Sequence, residues 1–94
     1  MPKIKPTEQE EANRIVRACI SGNMERYMVS EDLMAAKLGV TKRTIQNRRN
    51  YPGSFELQDI QRLAKILKFT PIQAASMVLG RDLTNKEIKE FILM

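Results

Sequence analysis

Residues 31–50 read EDLMAAKLGVTKRTIQNRRN, and the spacing within this stretch predicts the fold. Ala35, Gly39 and Ile45 stand at its fifth, ninth and fifteenth places, which is the spacing of a helix-turn-helix. Ala35 is small enough for two helices to cross closely, and Gly39 ends the first helix because glycine adopts a left-handed turn at little cost. Thr41 is a suitable cap for the second helix. The predicted motif core comprises Ala35, Gly39, Val40 and Ile45.

A helix that begins after Thr41 turns one polar face away from Ile45, because residues four apart stack on the same side. Arginine and lysine donate to guanine, and glutamine and asparagine pair with adenine, so this face has the chemistry of base recognition. Short hydroxyl donors and flanking cations suit the DNA backbone. The predicted base-reading residues are Lys42, Arg43, Gln46 and Asn47, and the predicted backbone contacts are Lys37, Thr41, Thr44, Arg48 and Arg49.

The charge distribution favours the same partner. The formal net charge is +5, and between Asp32 and Glu56 the chain has basic residues and no acidic one. A basic stretch that coincides with a candidate recognition helix is typical of phosphate binding, so double-stranded DNA is the expected partner. The alternative interpretation is an ordinary solvated helix face.

Composition excludes several other classes of protein. The chain of 94 residues has the length of one domain, and its 43% hydrophobic and 29% charged residues are typical of a folded one. It has neither an apolar run of membrane-spanning length nor a signal-peptide pattern, so we expect no membrane association and a cytoplasmic location. The lone Cys19 cannot form an internal disulfide, and we expect a buried thiol. Without histidine, neither a metal site nor histidine-dependent catalysis is expected, and no cofactor or small-molecule ligand is evident.

The hydrophobic periodicity is helical throughout and predicts an all-α fold, a compact bundle of five to six short helices. Residues 1–6 form a predicted flexible basic arm, residues 7–80 the helix-turn-helix domain, and residues 81–94 a C-terminal helix that completes the core or mediates dimerisation. The lysines at positions 3 and 5 either follow the duplex or have no role.

Breaks in the helical pattern mark the ends of the predicted helices. The first helix starts at Thr7 and ends or bends at Gly22-Asn23, unless residues 24–28 extend it. The fourth starts near Phe55, and the fifth follows Thr70-Pro71. Gly80 closes the fifth, and residues 84–87 resemble a capping box for a sixth. The apolar stripes are Leu57, Ile60, Leu63, Ala64 and Leu67 in the fourth helix, Ile72, Ala75, Met77, Val78 and Leu79 in the fifth, and Ile88, Phe91 and Ile92 in the sixth.

Three phrases carry a family resemblance. AAKLGVTKRTI at 35–45, PGSFEL at 52–57 and IQRLAKIL at 60–67 resemble the lambda-repressor-like family, the Cro and Xre class of helix-turn-helix proteins. The resemblance is closest to small members from phages and prophages, and it covers about residues 31–78. It implies a repressor-like regulator that occupies an operator and reads the major groove with its third helix. Because a single recognition helix reads only a few base pairs, we expect a homodimer on DNA with the far end of the chain, residues 83–94, as its interface.

The chain departs from the family pattern at two positions of the motif. Position eighteen is usually apolar and here is Arg48, while position one is often glutamine and here is Glu31. A glutamine at position one can hold a phosphate. A glutamate would repel one, so that role is not transferred to Glu31.

Two other classes of function are alternatives to DNA binding. A protein-interaction module of the antitoxin or adaptor type would use the apolar end of the chain, residues 83–94, as a partner site. An enzyme would need a nucleophile, a base or a metal set, and the chain offers none. The paired acidic residues at 10–11 and 31–32 stand at predicted helix starts, where the helix dipole explains them.

Overall fold

The computed structural model describes residues 7–84, 86, 89 and 90, and within these residues the fold is all-helical, which confirms the predicted class. The described chain contains no strand, and a short 3₁₀ turn at Pro52–Ser54 precedes the fourth helix. The predicted arm of residues 1–6 lies outside the described residues. The helices are α1 Glu8–Tyr27, α2 Glu31–Leu38, α3 Lys42–Asn50, α4 Leu57–Ile66 and α5 Pro71–Leu79.

The first helix is a single continuous element. The Thr7 hydroxyl caps it by accepting from the backbone N–H of Glu10 at 3.1 Å. The helix passes through Gly22 and Asn23 without a break, so the expected end or bend there is wrong and the extension through residues 24–28 is the correct alternative. It ends where Met28 takes the left-handed conformation, with φ at 54°.

The helix continues through Asn23, whose side-chain amide is buried and forms hydrogen bonds with distant segments. Asn23 Nδ2 donates to the Leu67 carbonyl at 2.8 Å and to Gln73 Oε1 at 2.9 Å. Gln73 Nε2 donates back to Asn23 Oδ1 at 2.9 Å. The side chain that resembled a helix terminator in the sequence therefore joins the C-terminal part of α1 to the junction of α4 and α5.

The core lies where α1, α2, α3 and α4 converge. Ile20, Met34, Ile45, Leu63 and Leu67 are fully buried. Burial of each such side chain stabilises the fold by about 1.5–3 kcal/mol, so this small cluster supplies much of the stability of a domain this size. Ala35 and Leu38 complete the buried cluster.

The predicted apolar stripes are partly wrong at the ends of α4 and α5. Leu57 is 70% exposed, because it is the first residue of α4 and projects past the edge of the core that Ile60 and Leu63 reach. Val78 is 77% and Leu79 is 52% exposed in the last turn of α5, before Gly80 ends the helix.

Beyond α5 the chain still contributes to the core. Leu83 is buried, and its backbone N–H donates to the Ser76 hydroxyl at 3.1 Å. The predicted stripe of the sixth helix, at Ile88, Phe91 and Ile92, lies outside the described residues.

Candidate nucleic-acid interface

Local hydrogen bonds set the turn between α2 and α3. The Ser30 hydroxyl caps α2 by accepting from the N–H of Leu33 at 3.1 Å. Gly39 ends α2 in the predicted left-handed conformation, with φ at 71°, and the Val40 N–H donates to the Ala35 carbonyl at 3.0 Å. Ala35 and Ile45 are buried and Val40 is half-buried, whereas Gly39 is exposed in the turn between the two helices.

Thr41 begins α3 as the sequence predicts. Its Oγ1 accepts from the Thr44 N–H at 3.1 Å and lies 2.9 Å from the Thr44 hydroxyl. The two hydroxyls therefore already serve the cap of the helix. Thr41 is exposed and Thr44 half-buried, and their contact with the DNA backbone stays a prediction.

The outer face of α3 carries the four predicted base-reading side chains, and all four are exposed. Lys42 and Arg43 lie in its first turn, with Gln46 and Asn47 one turn later on the same side. Lys42 Nζ lies 3.8 Å from Asp32 Oδ2 in an exposed pair, which holds the lysine only weakly. The capped helix thus presents two cations and two amides together to solvent.

Arg48 is placed differently from the sequence interpretation. Its Nη1 lies 2.8 Å from Asp59 Oδ2, and about a quarter of its side chain is exposed. Asp59 is buried and also accepts from the Glu56 N–H at 3.2 Å, where it completes the capping box of α4. The structure therefore shows Arg48 as a link between α3 and α4, and any contact with DNA phosphate would compete with this pair.

Arg49 also has intramolecular partners. Its Nη1 lies 3.0 Å from Glu31 Oε2, and its Nη2 donates to the Ser21 hydroxyl at 2.9 Å. The arginine thus joins the end of α3 to the start of α2 and to α1. Glu31, which departs from the family pattern, faces a cation of its own chain.

A polar cleft of about 330 Å³ lies beside the outer face of α3. Arg17 of α1 lines it, and its Nη1 donates to the Asn50 carbonyl at the end of α3 at 3.1 Å. Sequence reasoning missed Arg17 and Ser21, because only the packing of α1 against α3 brings them to this surface. The cleft is lined by Arg17, Ser21, Glu31, Gln46, Arg49 and Asn50.

The structure also brings acidic residues to the basic stretch that looked unopposed in the sequence. Asp32, Asp59 and Glu31 pair with three of its five cations. Lys37 and Arg43 are exposed and form no ion pair with the described carboxylates. Arg43 is therefore the most available cation of the candidate reading face, and Lys37 the most available one at its flank.

A second surface lies between the start of α1, the 3₁₀ turn with the start of α4, and the end of α5. It is an apolar groove of about 750 Å³, and the exposed Leu57, Val78 and Leu79 line it. Glu8 and Glu11 lie on its α1 wall and Arg81 on its α5 wall. We refer to this surface as the apolar groove.

Over the described ranges, no group of three or more potential ligand side chains is placed to hold a metal ion. None of the helices described here combines the length and apolar character needed to cross a membrane. The chain matched no protein-family model, no curated protein and no solved structure.

Proposed function

We propose that this protein is a sequence-specific DNA-binding transcriptional regulator of the lambda-repressor-like class, which reads the major groove of an operator with α3. The observation that carries the proposal is the exposed set Lys42, Arg43, Gln46 and Asn47 on one face of a capped helix. Guanidinium and amide groups form the bidentate pairs that distinguish bases in the major groove. The buried Ile45 fixes the opposite face of that helix against the core.

Binding as a homodimer follows from the size of this reading surface. One short helix contacts only a few base pairs, whereas two helices about 34 Å apart read successive major grooves on one face of the duplex. We assign the contact between the two copies to the apolar groove. The exposed Leu57, Val78 and Leu79 of the groove would be covered by the second copy, and a two-fold axis brings these same apolar side chains of both copies together.

Selection of bound DNA from a random pool tests the proposal. A palindromic consensus supports it, and a pool without enrichment contradicts it. On the selected site, Arg43→Ala and Gln46→Ala are expected to weaken binding by about 1–3 kcal/mol each while barely changing binding to random DNA. Lys37→Ala is the control, because loss of a phosphate contact weakens both duplexes alike. Equal losses on both duplexes would exclude Arg43 and Gln46 from base reading.

Salt dependence and stoichiometry test the dimer. For six to ten phosphate contacts per dimer, the log–log slope of affinity against salt should be about −5 to −9. Val78→Asp should reduce dimer formation and operator affinity together. Removal of residues 85–94 tests whether the end of the chain contributes, and this truncation keeps the buried Leu83. A variant with the Val78 change that still binds as a dimer would exclude the apolar groove from the contact.

The second candidate function is a protein-interaction module, and the exposed apolar side chains of the groove are the observation that favours it. In that case Val78→Asp would abolish complex formation with a different protein, and the Arg43 and Gln46 variants would have no effect. If the purified chain binds no duplex at either low or physiological salt, the result would favour this candidate over the regulator.

A further inference from the structure

The polar cleft between α1, α2 and α3 has the composition of an anion site. Two guanidinium groups, from Arg17 and Arg49, reach it from different helices, and the Ser21 hydroxyl and the Gln46 amide lie on its wall. Arginine pairs with phosphate through two parallel N–H donors, and a hydroxyl group supplies a further donor to a phosphate oxygen. We propose that this cleft binds a backbone phosphate of the DNA duplex, and that Glu31 is the internal anion with which the phosphate competes.

The cleft lies where a duplex strand would pass. Gln46 belongs both to the outer face of α3 and to the wall of the cleft. A helix in the major groove has a sugar–phosphate strand along each side, so a site that adjoins its reading face meets one of these strands. The proposal therefore rests on the proposed function and extends it to α1, a helix outside the helix-turn-helix.

Both arginines keep donors for a ligand. Each guanidinium carries five N–H groups, of which Arg17 uses one for the Asn50 carbonyl. Arg49 uses one for Glu31 and one for Ser21. The Arg49–Glu31 pair keeps about a quarter of each side chain exposed, so an incoming ligand can reach it from solvent. A phosphate can therefore replace Glu31 as the partner of Arg49.

Glu31 opposes this exchange in two ways. It neutralises Arg49 at 3.0 Å, and its own charge repels a phosphate in the cleft. Glutamine has the same shape without the charge. Replacement of Glu31 by glutamine should therefore increase affinity for any duplex, whereas loss of Arg17 should decrease it.

The experiment compares Arg17→Ala with Arg14→Ala, an exposed arginine of the same helix that does not line the cleft. Binding to the selected operator and to a random duplex is measured by fluorescence anisotropy over a range of potassium chloride concentrations. Arg17→Ala should lower affinity several-fold on both duplexes and reduce the salt slope by about one per subunit, while Arg14→Ala leaves the slope unchanged. Glu31→Gln should raise affinity several-fold on both duplexes.

Further controls separate a phosphate contact from a loss of structure. Thermal melting by circular dichroism is recorded for every variant, and Arg17→Lys, which keeps the charge, should retain most of the salt slope. If Arg17→Ala melts early, Glu31→Gln, which preserves shape, decides the question alone. Equal salt slopes for folded Arg17→Ala and Arg14→Ala would overturn the proposed phosphate site in the cleft, and so would weaker binding by Glu31→Gln. Either result would leave the proposal of base reading by α3 intact. A wild-type chain that binds no duplex would overturn the proposed function and the cleft together.

Discussion

Arg48 Nη1 lies 2.8 Å from Asp59 Oδ2, and this ion pair joins α3 to α4. Asp59 is the more buried partner and also serves the α4 cap. The arginine that departs from the apolar pattern of the motif thus has a structural partner that lies eleven residues further along the chain.

Loss of this pair should cost stability rather than DNA affinity. Arg48→Ala leaves a buried carboxylate without its cation, and we expect the free energy of unfolding to fall by about 1.5–3 kcal/mol. Urea denaturation measures it, with the exposed Arg62→Ala on α4 as the control. A salt slope that falls while stability stays unchanged would instead identify Arg48 as a phosphate contact.

Gly39 and Gly80 allow a direct comparison of backbone and steric strain. Both have φ at +71°, but a Cβ at Gly39 would meet nothing within 4 Å, whereas one at Gly80 would lie 3.1 Å from the Cβ of Ala12. Gly39→Ala should therefore destabilise by about 1 kcal/mol from conformation alone, and Gly80→Ala by more. Gly39→Val should cost about 1 kcal/mol or more, because β-branched residues suit this region poorly.

Thermal and chemical denaturation of these variants measures the differences. Ala12→Gly in the Gly80→Ala background should recover part of the loss, since it removes the opposing Cβ. Equal costs at the two glycines would show that α1 moves away from Gly80 freely.

Met28 and Lys68 are the two described residues other than glycine with positive φ, at 54° and 52°. Met28 is 90% exposed, so Met28→Gly should raise the free energy of unfolding by about 0.5–1 kcal/mol by relieving the left-handed conformation. Lys68 Nζ lies 5.1 Å from the centre of the Tyr27 ring, and Lys68→Gly also loses this cation–π contact. Its gain should be smaller, and denaturation curves that rank the two variants in the opposite order would contradict this explanation.

Cys19 is half-buried, and burial raises the pKa of its thiol, with a further contribution from the negative charge of Asp82. The folded protein therefore favours the neutral thiol. Below the ordinary thiol pKa the raised pKa of Cys19 leaves the free energy of unfolding unchanged. As pH rises through the raised pKa, the free energy of unfolding falls because the thiol ionises more readily in the unfolded chain. Alkylation by iodoacetamide should be slower in the folded protein than in urea, and Asp82→Asn should accelerate it. Equal rates for the folded variant and wild type would exclude the Asp82 contribution.

The parts of the fold that sequence predicted are those set by neighbours along the chain. The caps at Thr41 and Thr70 each act on a backbone N–H three residues ahead, and Gly39 acts within its own turn. Helical periodicity likewise placed Ile45 inward and the four base-reading candidates outward. Such features need no knowledge of how distant segments pack.

The parts that sequence could not predict depend on contacts between distant segments. Arg49 lies eighteen residues from Glu31 and twenty-eight from Ser21, and Arg17 lies thirty-three from Asn50. A basic run therefore looked unopposed, although acidic side chains from α2 and α4 approach it in the fold. The sequence marked Arg48 and Glu31 as departures from the family pattern, but it did not indicate that they would pair with Asp59 and Arg49.

The reciprocal amide pair of Asn23 and Gln73 also determines how the molecule opens. Gln73 lies in the first turn of α5, where a short helix would ordinarily fray and exchange its amide hydrogens rapidly. Because Asn23, near the C-terminal end of the longest described helix, binds both Gln73 and the Leu67 carbonyl at the end of α4, these segments can separate only by breaking these hydrogen bonds together. In hydrogen–deuterium exchange, the amides that follow Gln73 should therefore share the slow phase of the α1 amides around Asn23 and form one cooperative unit with them.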